Sequence, residues 1–279
     1  MTDYPSQQGI RQLIRICSCL ILFFYGINLE AATLVASWEL NGNFIDASGH
    51  GYNGTAVGSV TFSNGKMGQA ADFSGGSGAG VDNTSVDHID SNISIASSSF
   101  NSGLSIMAWV NYTTAGCILA HDRSTGGLSL VGFSLSVNAT NGLTLFMRDT
   151  GDRRLVGSSA DNTLTPGVWH HVVATWNGST TGGVTFYIDS VAKTASYTTN
   201  GTFTGLNGGS LPLRIGASSG DSANNIYGLQ GSIDHVSAWQ GALTSQEVQN
   251  DYNLAVPEPS TLLLICLGFI WMLQRYFRI

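Results

Sequence analysis

Glu30, Glu39, Glu247 and Glu258 are the only glutamates in the chain. Cleaving a glycosidic bond asks for two carboxyl groups facing it, roughly 5 Å apart in retaining enzymes. Only Glu39 could lie on a strand face, and it stands alone. Glu247 falls in a helix-start pattern, and Glu30 and Glu258 fall in the terminal segments. The nearest acidic pair, Asp87-His88-Ile89-Asp90, reads as a loop, because strand alternation would turn Asp87 and Asp90 to opposite faces. Gly-x-Ser-x-Gly occurs once, at Gly216-Ala217-Ser218-Ser219-Gly220 in a segment that reads as a loop and not as a strand-to-helix elbow, and His-Glu-x-x-His does not occur. His50, His88, His121, His170, His171 and His235 are scattered, with no nucleophile beside any of them. These residues name no catalytic group, and the expectation is a protein that is not an enzyme.

Ion chemistry has one opening. Asp46 sits in a loop rich in Gly, Ser and Asn, where a carboxylate and inward-turned carbonyls could meet the oxygen demand of calcium. Asn43, Gly49 and Asn53 could add oxygens. The same spacing equally suits an Asx-turn, with Asp46 bonding its own backbone. Of the 4 cysteines, Cys17, Cys19 and Cys266 lie in the terminal segments. Cys117 remains by itself in an apolar stretch and reads as a buried, inert thiol.

The elements that must carry these residues are strands. Hydrophobic residues make up 43% and charged residues 10%, with 35 Gly and a net charge of -7. Such a chain builds a rigid β-protein with a polar, largely uncharged surface, and its few Lys and Arg argue against a nucleic-acid partner. Short alternating segments at 34–40, 69–73, 104–112, 133–137, 143–148, 168–176 and 184–189 recur between Gly, Asn and Ser clusters, the pattern of an antiparallel sandwich. Segment 168–176 is apolar on both faces, which predicts a central strand covered on its outer side. Segments 200–209 and 216–225 read as loops. Thr244-Ser245-Gln246-Glu247 is a capping box and predicts a helix to about Asn253, with Leu243, Val248 and Tyr252 turned inward.

The ends differ from the middle. Arg11 and Arg15 precede the apolar run 16–27, and Ala31 and Ala32 follow, the layout of a secretory signal peptide over 1–31. Cleavage is expected near Ala31, with an uncleaved anchor as the alternative. At the other end, Val256-Pro257-Glu258-Pro259-Ser260, the apolar run 261–273 and then Arg275 and Arg278 resemble the PEP-CTERM sorting signal of exported bacterial proteins. The run is shorter than the ~20 residues that span a bilayer comfortably, and the arginines beyond it fit a positive-inside orientation. The resemblance implies processing of 255–279 by an exosortase-type enzyme, a transient anchor in the membrane through this C-terminal helix, and a cell-surface or extracellular destination.

A second resemblance spans residues 32–254. Ser37-Trp38-Glu39-Leu40-Asn41-Gly42-Asn43 with Asp46-Ala47-Ser48-Gly49, Gly65-Lys66-Met67-Gly68-Gln69-Ala70-Ala71-Asp72-Phe73, Ser105-Ile106-Met107-Ala108-Trp109-Val110, Trp169-His170-His171-Val172-Val173-Ala174-Thr175-Trp176, Phe186-Tyr187-Ile188-Asp189, Leu213-Arg214-Ile215-Gly216 and Gly231-Ser232-Ile233-Asp234-His235-Val236 follow the order of a LamG-like, concanavalin A-like domain. It implies an all-β fold, a two-sheet antiparallel jelly-roll sandwich with one short C-terminal helix, besides the apolar helices of the two ends. It also implies a structural Ca2+ joining Asp46 to Asp234, with Asn53 assisting; the alternative pairs Asp234 with an arginine such as Arg214. Sugar sites on such sandwiches combine an aromatic platform with Asp, Asn and Arg in loops, which singles out Asp122, Arg123, Asp149, Arg153 and Tyr227. The alternative makes Asp149 to Arg154 a solvated hairpin tip. The reading is a non-catalytic module binding extracellular polysaccharide or a cell-surface protein. Its rivals are a purely structural matrix component and a divergent glycan-active enzyme.

Overall fold

The computed structural model describes residues 31–76, 79–80, 86–125, 128–218 and 226–255. The signal segment, Pro257, Glu258, Pro259, Arg275 and the apolar runs of both ends lie outside them. Among the described residues no helix is long and apolar enough to cross a membrane.

In chain order the strands are β1 (Thr33–Trp38), β2 (Gly54–Val57), β3 (Thr61–Asn64), β4 (Gln69–Asp72), β5 (Ala79–Gly80), β6 (His88–Ala96), β7 (Leu104–Thr114), β8 (Cys117–Thr125), β9 (Leu128–Val137) and β10 (Leu143–Arg148). There follow β11 (Arg154–Ser158), β12 (His170–Trp176), β13 (Val184–Ile188), β14 (Val191–Thr194), β15 (Ser196–Asn200), β16 (Ser210–Ile215), β17 (Ala217–Ser218), β18 (Ile226–Gly228) and β19 (Gln230–Gln240), then helix α1 (Ser245–Ala255). They form two sheets. The 8-stranded sheet runs β14-β13-β12-β7-β19-β4-β3, with β1 also on β19. The 11-stranded sheet runs β15-β11-β10-β9-β8-β16-β6-β2, with β17, β18 and β5 at its side.

Alternation decides what fills the space between them. Ala108, Val172, Ala174, Trp176 and Phe186 from one sheet meet Phe133, Leu135, Leu145, Met147 and Leu213 from the other in one core. Each large apolar side chain removed from water there contributes about 1.5–3 kcal/mol. The strand expected to be central is central: β12 lies between β13 and β7. Its outer residue Val173 packs with Met107, Tyr187, Leu243 and Val248 under α1, which explains the apolar residues on its second face. The capping box forms as written, with the Glu247 amide donating to Thr244 Oγ1 at 3.3 Å and the Thr244 amide to Glu247 Oε2 at 2.7 Å. Tyr252 stacks on Trp109 with ring centroids 5.5 Å apart.

Two loop readings are corrected. Residues 88–90 belong to β6, held between β2 and β16, and Asp90 is bonded by Arg214 through Nε–Oδ1 at 2.6 Å and Nη2–Oδ2 at 3.0 Å. Arg214 therefore serves Asp90 rather than Asp234. Within 216–225 the chain forms the short strand β17. Segment 201–209 is a loop, but one that inserts Phe203 and Leu206 into the core.

Candidate functional site

On the open face of the 11-stranded sheet, β8 to β11 lie side by side in a fixed register. Asp122, Gly132, Arg148 and Arg154 stand in one row across the four strands, and Ala120, Ser134, Phe146 and Val156 in the next. Alternation places these side chains outside because Phe133, Leu135, Leu145, Met147 and Leu155 occupy the inner face. Gly132 has φ +122, and a Cβ there would run into the His121 carbonyl oxygen, so the row has a gap between Asp122 and Arg148.

Beside this gap runs a groove of about 450 Å³, lined among others by Ser134, Phe146, Arg148, Arg154, Ser218 and Tyr227. The volume falls within the ~300–1,000 Å³ usual for small-ligand sites. Tyr227 is 50% exposed, whereas Arg148 is only 6% exposed and lies with its guanidinium carbon 5.7 Å from the Phe146 ring centre. Arg148 Nη2 reaches Asp152 Oδ1 at 3.0 Å. Among the described residues no carboxylate lines the groove. Its floor includes Cys117, a buried thiol that donates to the Leu135 carbonyl at 3.6 Å. Burial, aided by the charge of Asp122, pushes that thiol well above its ordinary pKa, so it stays protonated and inert.

The residues singled out from sequence divide by place. Tyr227 faces the groove, and Asp122, 8% exposed, lies in the arginine row beyond Gly132. Arg123 belongs to β8, while its side chain is outside the described residues. Asp149 and Arg153 belong to the β10–β11 turn. Asp149 is fully buried and accepts from the amides of Gly151 (2.8 Å), Arg153 (3.1 Å) and Thr204 (3.1 Å) and from the Thr204 hydroxyl (2.9 Å), with Arg153 Nε at 2.9 Å. Burial alone would raise its pKa, but Thr204 and Arg153 outweigh it and hold the carboxyl below the ordinary range. The turn is the hairpin tip of the alternative reading, with Thr150, Gly151 and Asp152 exposed, while Asp149 is buried beneath it. Ser134, Phe146 and Ser218 were not legible as site residues, since only the register across β9, β10 and β17 gathers them. The alternation Thr144-Leu145-Phe146-Met147-Arg148 was the available signal.

Asp46 and Asp234 are each engaged by donors of the protein itself. Asp46 Oδ1 accepts from the amides of Ser37 (3.0 Å) and Ser48 (2.9 Å), and Oδ2 from the Ser48 hydroxyl (2.8 Å) and the Tyr52 amide (2.9 Å). All four acceptor positions of the carboxylate are taken, and Asn53 Oδ1 is taken by the Asp46 amide at 2.9 Å. Burial would raise the Asp46 pKa, yet Ser37, Ser48 and Tyr52 outweigh it and lower it. Asp234 is fully buried, its Oδ2 accepts from the Met67 amide at 2.8 Å, and its Oδ1 has no hydrogen-bond partner among the described residues. Burial raises its pKa. One free oxygen falls far short of the six to eight that calcium takes, and among the described residues no three His, Cys, Asp or Glu side chains converge on a metal position. Asp46 and Asn53 fit the Asx-turn alternative.

Comparison with known proteins agrees with this architecture. A family model described as the concanavalin A-like lectin/glucanases superfamily matches residues 84–249, and one described as the PEP-CTERM protein-sorting motif matches 255–275. No curated protein matches the chain. Among solved structures, domain 4 of AbnA, a GH43 extracellular arabinanase from Geobacillus stearothermophilus in complex with arabinotriose, superposes with a TM-score of 0.51 at 21% identity, over 79% of this chain and 98% of that one. The binding domain of botulinum neurotoxin DC in complex with rat synaptotagmin II gives 0.55 at 15% identity, over 82% of this chain and 52% of that one. Botulinum neurotoxin type C, whose cell entry depends on two ganglioside molecules, gives 0.54 at 14%, over 80% and 51%. The chain thus spans about half the length of the two neurotoxin chains, and at these identities the likeness concerns the fold.

Proposed function

Since this chain belongs to the concanavalin A-like lectin/glucanases superfamily and ends in a PEP-CTERM sorting motif, we propose that it is an exported, non-catalytic module that binds extracellular polysaccharide at the groove of its 11-stranded sheet. In this reading 1–31 is the export leader, 32–254 the binding module, and 255–279 the segment that anchors the protein until an exosortase-type enzyme processes it at the cell surface. The observation that carries the proposal is the composition of the groove. A pyranose offers an apolar face and a rim of hydroxyls, and the groove offers Phe146 and Tyr227 beside Arg148, Arg154, Ser134 and Ser218. The described lining carries no carboxylate, whereas hydrolysis needs a pair of them at the bond, and this favours binding. Similar folds, one in complex with arabinotriose and one a toxin whose cell entry depends on gangliosides, lend support by analogy.

The test uses the full chain in a detergent without a sugar headgroup, against a panel of immobilised neutral and acidic polysaccharides. Binding without release of reducing ends is expected, and Tyr227→Ala or Phe146→Ala should weaken it by about tenfold or more, equal to 1.4 kcal/mol. Retention of full affinity by both variants, or binding to no polysaccharide, would refute the proposal.

A further inference from the structure

The groove treats its two arginines unusually. Arg148 and Arg154 stand directly opposite each other in the β10–β11 register, and like charges so placed destabilise a strand pair unless something lies between them. Their ion pairing does not resolve this. Arg148 reaches Asp152, itself 57% exposed, through Nη2, while Arg154 pairs with no described carboxylate. The Nε atoms of both are buried without a hydrogen-bond partner among the described residues. A buried unsatisfied donor costs about 1–3 kcal/mol, more on a charged group, and such a donor points to a missing acceptor.

Charge is also concentrated here. Between residues 32 and 256 every arginine, namely Arg123, Arg148, Arg153, Arg154 and Arg214, lies on the 11-stranded sheet or its β10–β11 turn, in a chain of net charge -7. Arg153 and Arg214 are occupied by Asp149 and Asp90. Arg148 and Arg154 line the groove that also presents Phe146 and Tyr227, and their buried Nε atoms have no acceptor among the described residues. A planar guanidinium matches a carboxylate in two parallel hydrogen bonds, which a sugar hydroxyl cannot reproduce.

Resting on the carbohydrate reading above, we infer that the groove is selective for acidic polysaccharide, with Arg148 and Arg154 receiving the carboxylate of a uronic acid residue whose ring lies against Phe146 and Tyr227. The carboxylate separates the two like charges and accepts from their N–H groups.

The experiment compares polygalacturonate and alginate with their esterified forms, which keep the backbone and lose the charge, using the full chain in the same detergent. The acidic forms should bind at least about tenfold tighter, with the advantage shrinking as salt rises. Arg154→Gln should bring the acidic forms down to the affinity of the esters, and Arg154→Lys, which restores charge without the planar fork, should recover part of it. Circular dichroism of each variant confirms that it is folded. Equal binding of acid and ester by the wild-type chain, or a loss in Arg154→Gln no greater for acid than for ester, overturns the inference and leaves the carbohydrate reading standing. Binding to neither form nor to any neutral glycan overturns both.

Discussion

His121 should make the folded chain acid-sensitive well above the pH at which its carboxylates titrate. It is fully buried, its ring stacked 5.1 Å from Phe133 and set edge-on 5.7 Å from Phe100. Nε2 lies 3.0 Å from the Ile95 carbonyl oxygen, which an N–H must satisfy, and Nδ1 lies 3.5 Å from Ser97 Oγ. Burial lowers its pKa from 6.5 to about 4 against the opposing pull of that hydrogen bond. Between these values the unfolded chain holds a proton that the folded chain lacks, so stability is complete above pH 6.5 and declines as pH falls toward 4. At 1.36 kcal/mol per pH unit, passing from pH 7 to pH 5 crosses roughly 1.5 units of the window and costs about 2 kcal/mol. Urea unfolding followed by the fluorescence of buried Trp38, Trp109 and Trp176 at the two pH values measures it. His121→Gln keeps a donor for Ile95 and does not titrate, so its loss over the same interval should be about 2 kcal/mol smaller. The same pH dependence in variant and wild type would refute the argument.

Further outcomes follow from other groups. Asp46→Ala removes the acceptor of four protein donors and should cost about 2–4 kcal/mol; the fall in melting temperature should be the same with calcium and with chelator, and a wild-type melting temperature lowered by chelator would show an ion that this loop geometry does not provide. Asp149→Asn loses the Arg153 ion pair and weakens the acceptor of Thr204, loosening the β10–β11 turn, so melting temperature and groove affinity should fall together. Asp90 is pushed up by burial but pulled by His88 and Arg214 to about 2; it adds stability above the ordinary carboxylate pKa that is lost as pH falls toward 2, and Asp90→Asn should flatten that acid limb in a pH series of urea titrations. Gly132→Ala forces a side chain at φ +122 against the His121 carbonyl, and a thermal melt should show a loss of at least about 2 kcal/mol.

What could be read from the residues is what local periodicity and local capping dictate. Period-two alternation marks β7, β10 and β12, and the apolar residues on both faces of β12 require a covering layer, which α1 supplies. Thr244 and Glu247 mark the helix start because their hydrogen bonds close within four residues. The Asx-turn of Asp46 was visible as one of two options, and the donors that meet its carboxylate from Ser37 and Tyr52 appear only in the folded chain. Partners far apart in sequence were beyond local pattern. Asp90 is separated from Arg214 by 124 residues and Asp149 from Thr204 by 55, and both pairs exist only through sheet order and loop packing. The groove is the clearest case. Phe146 and Arg148 face outward on any β10 strand, but Ser134, Arg154 and Tyr227 join them through the registers of β9 and β11 and the placement of β18. Strand alternation gives each residue a face, whereas a binding site needs neighbours across strands, and register is a property of the assembled sheet.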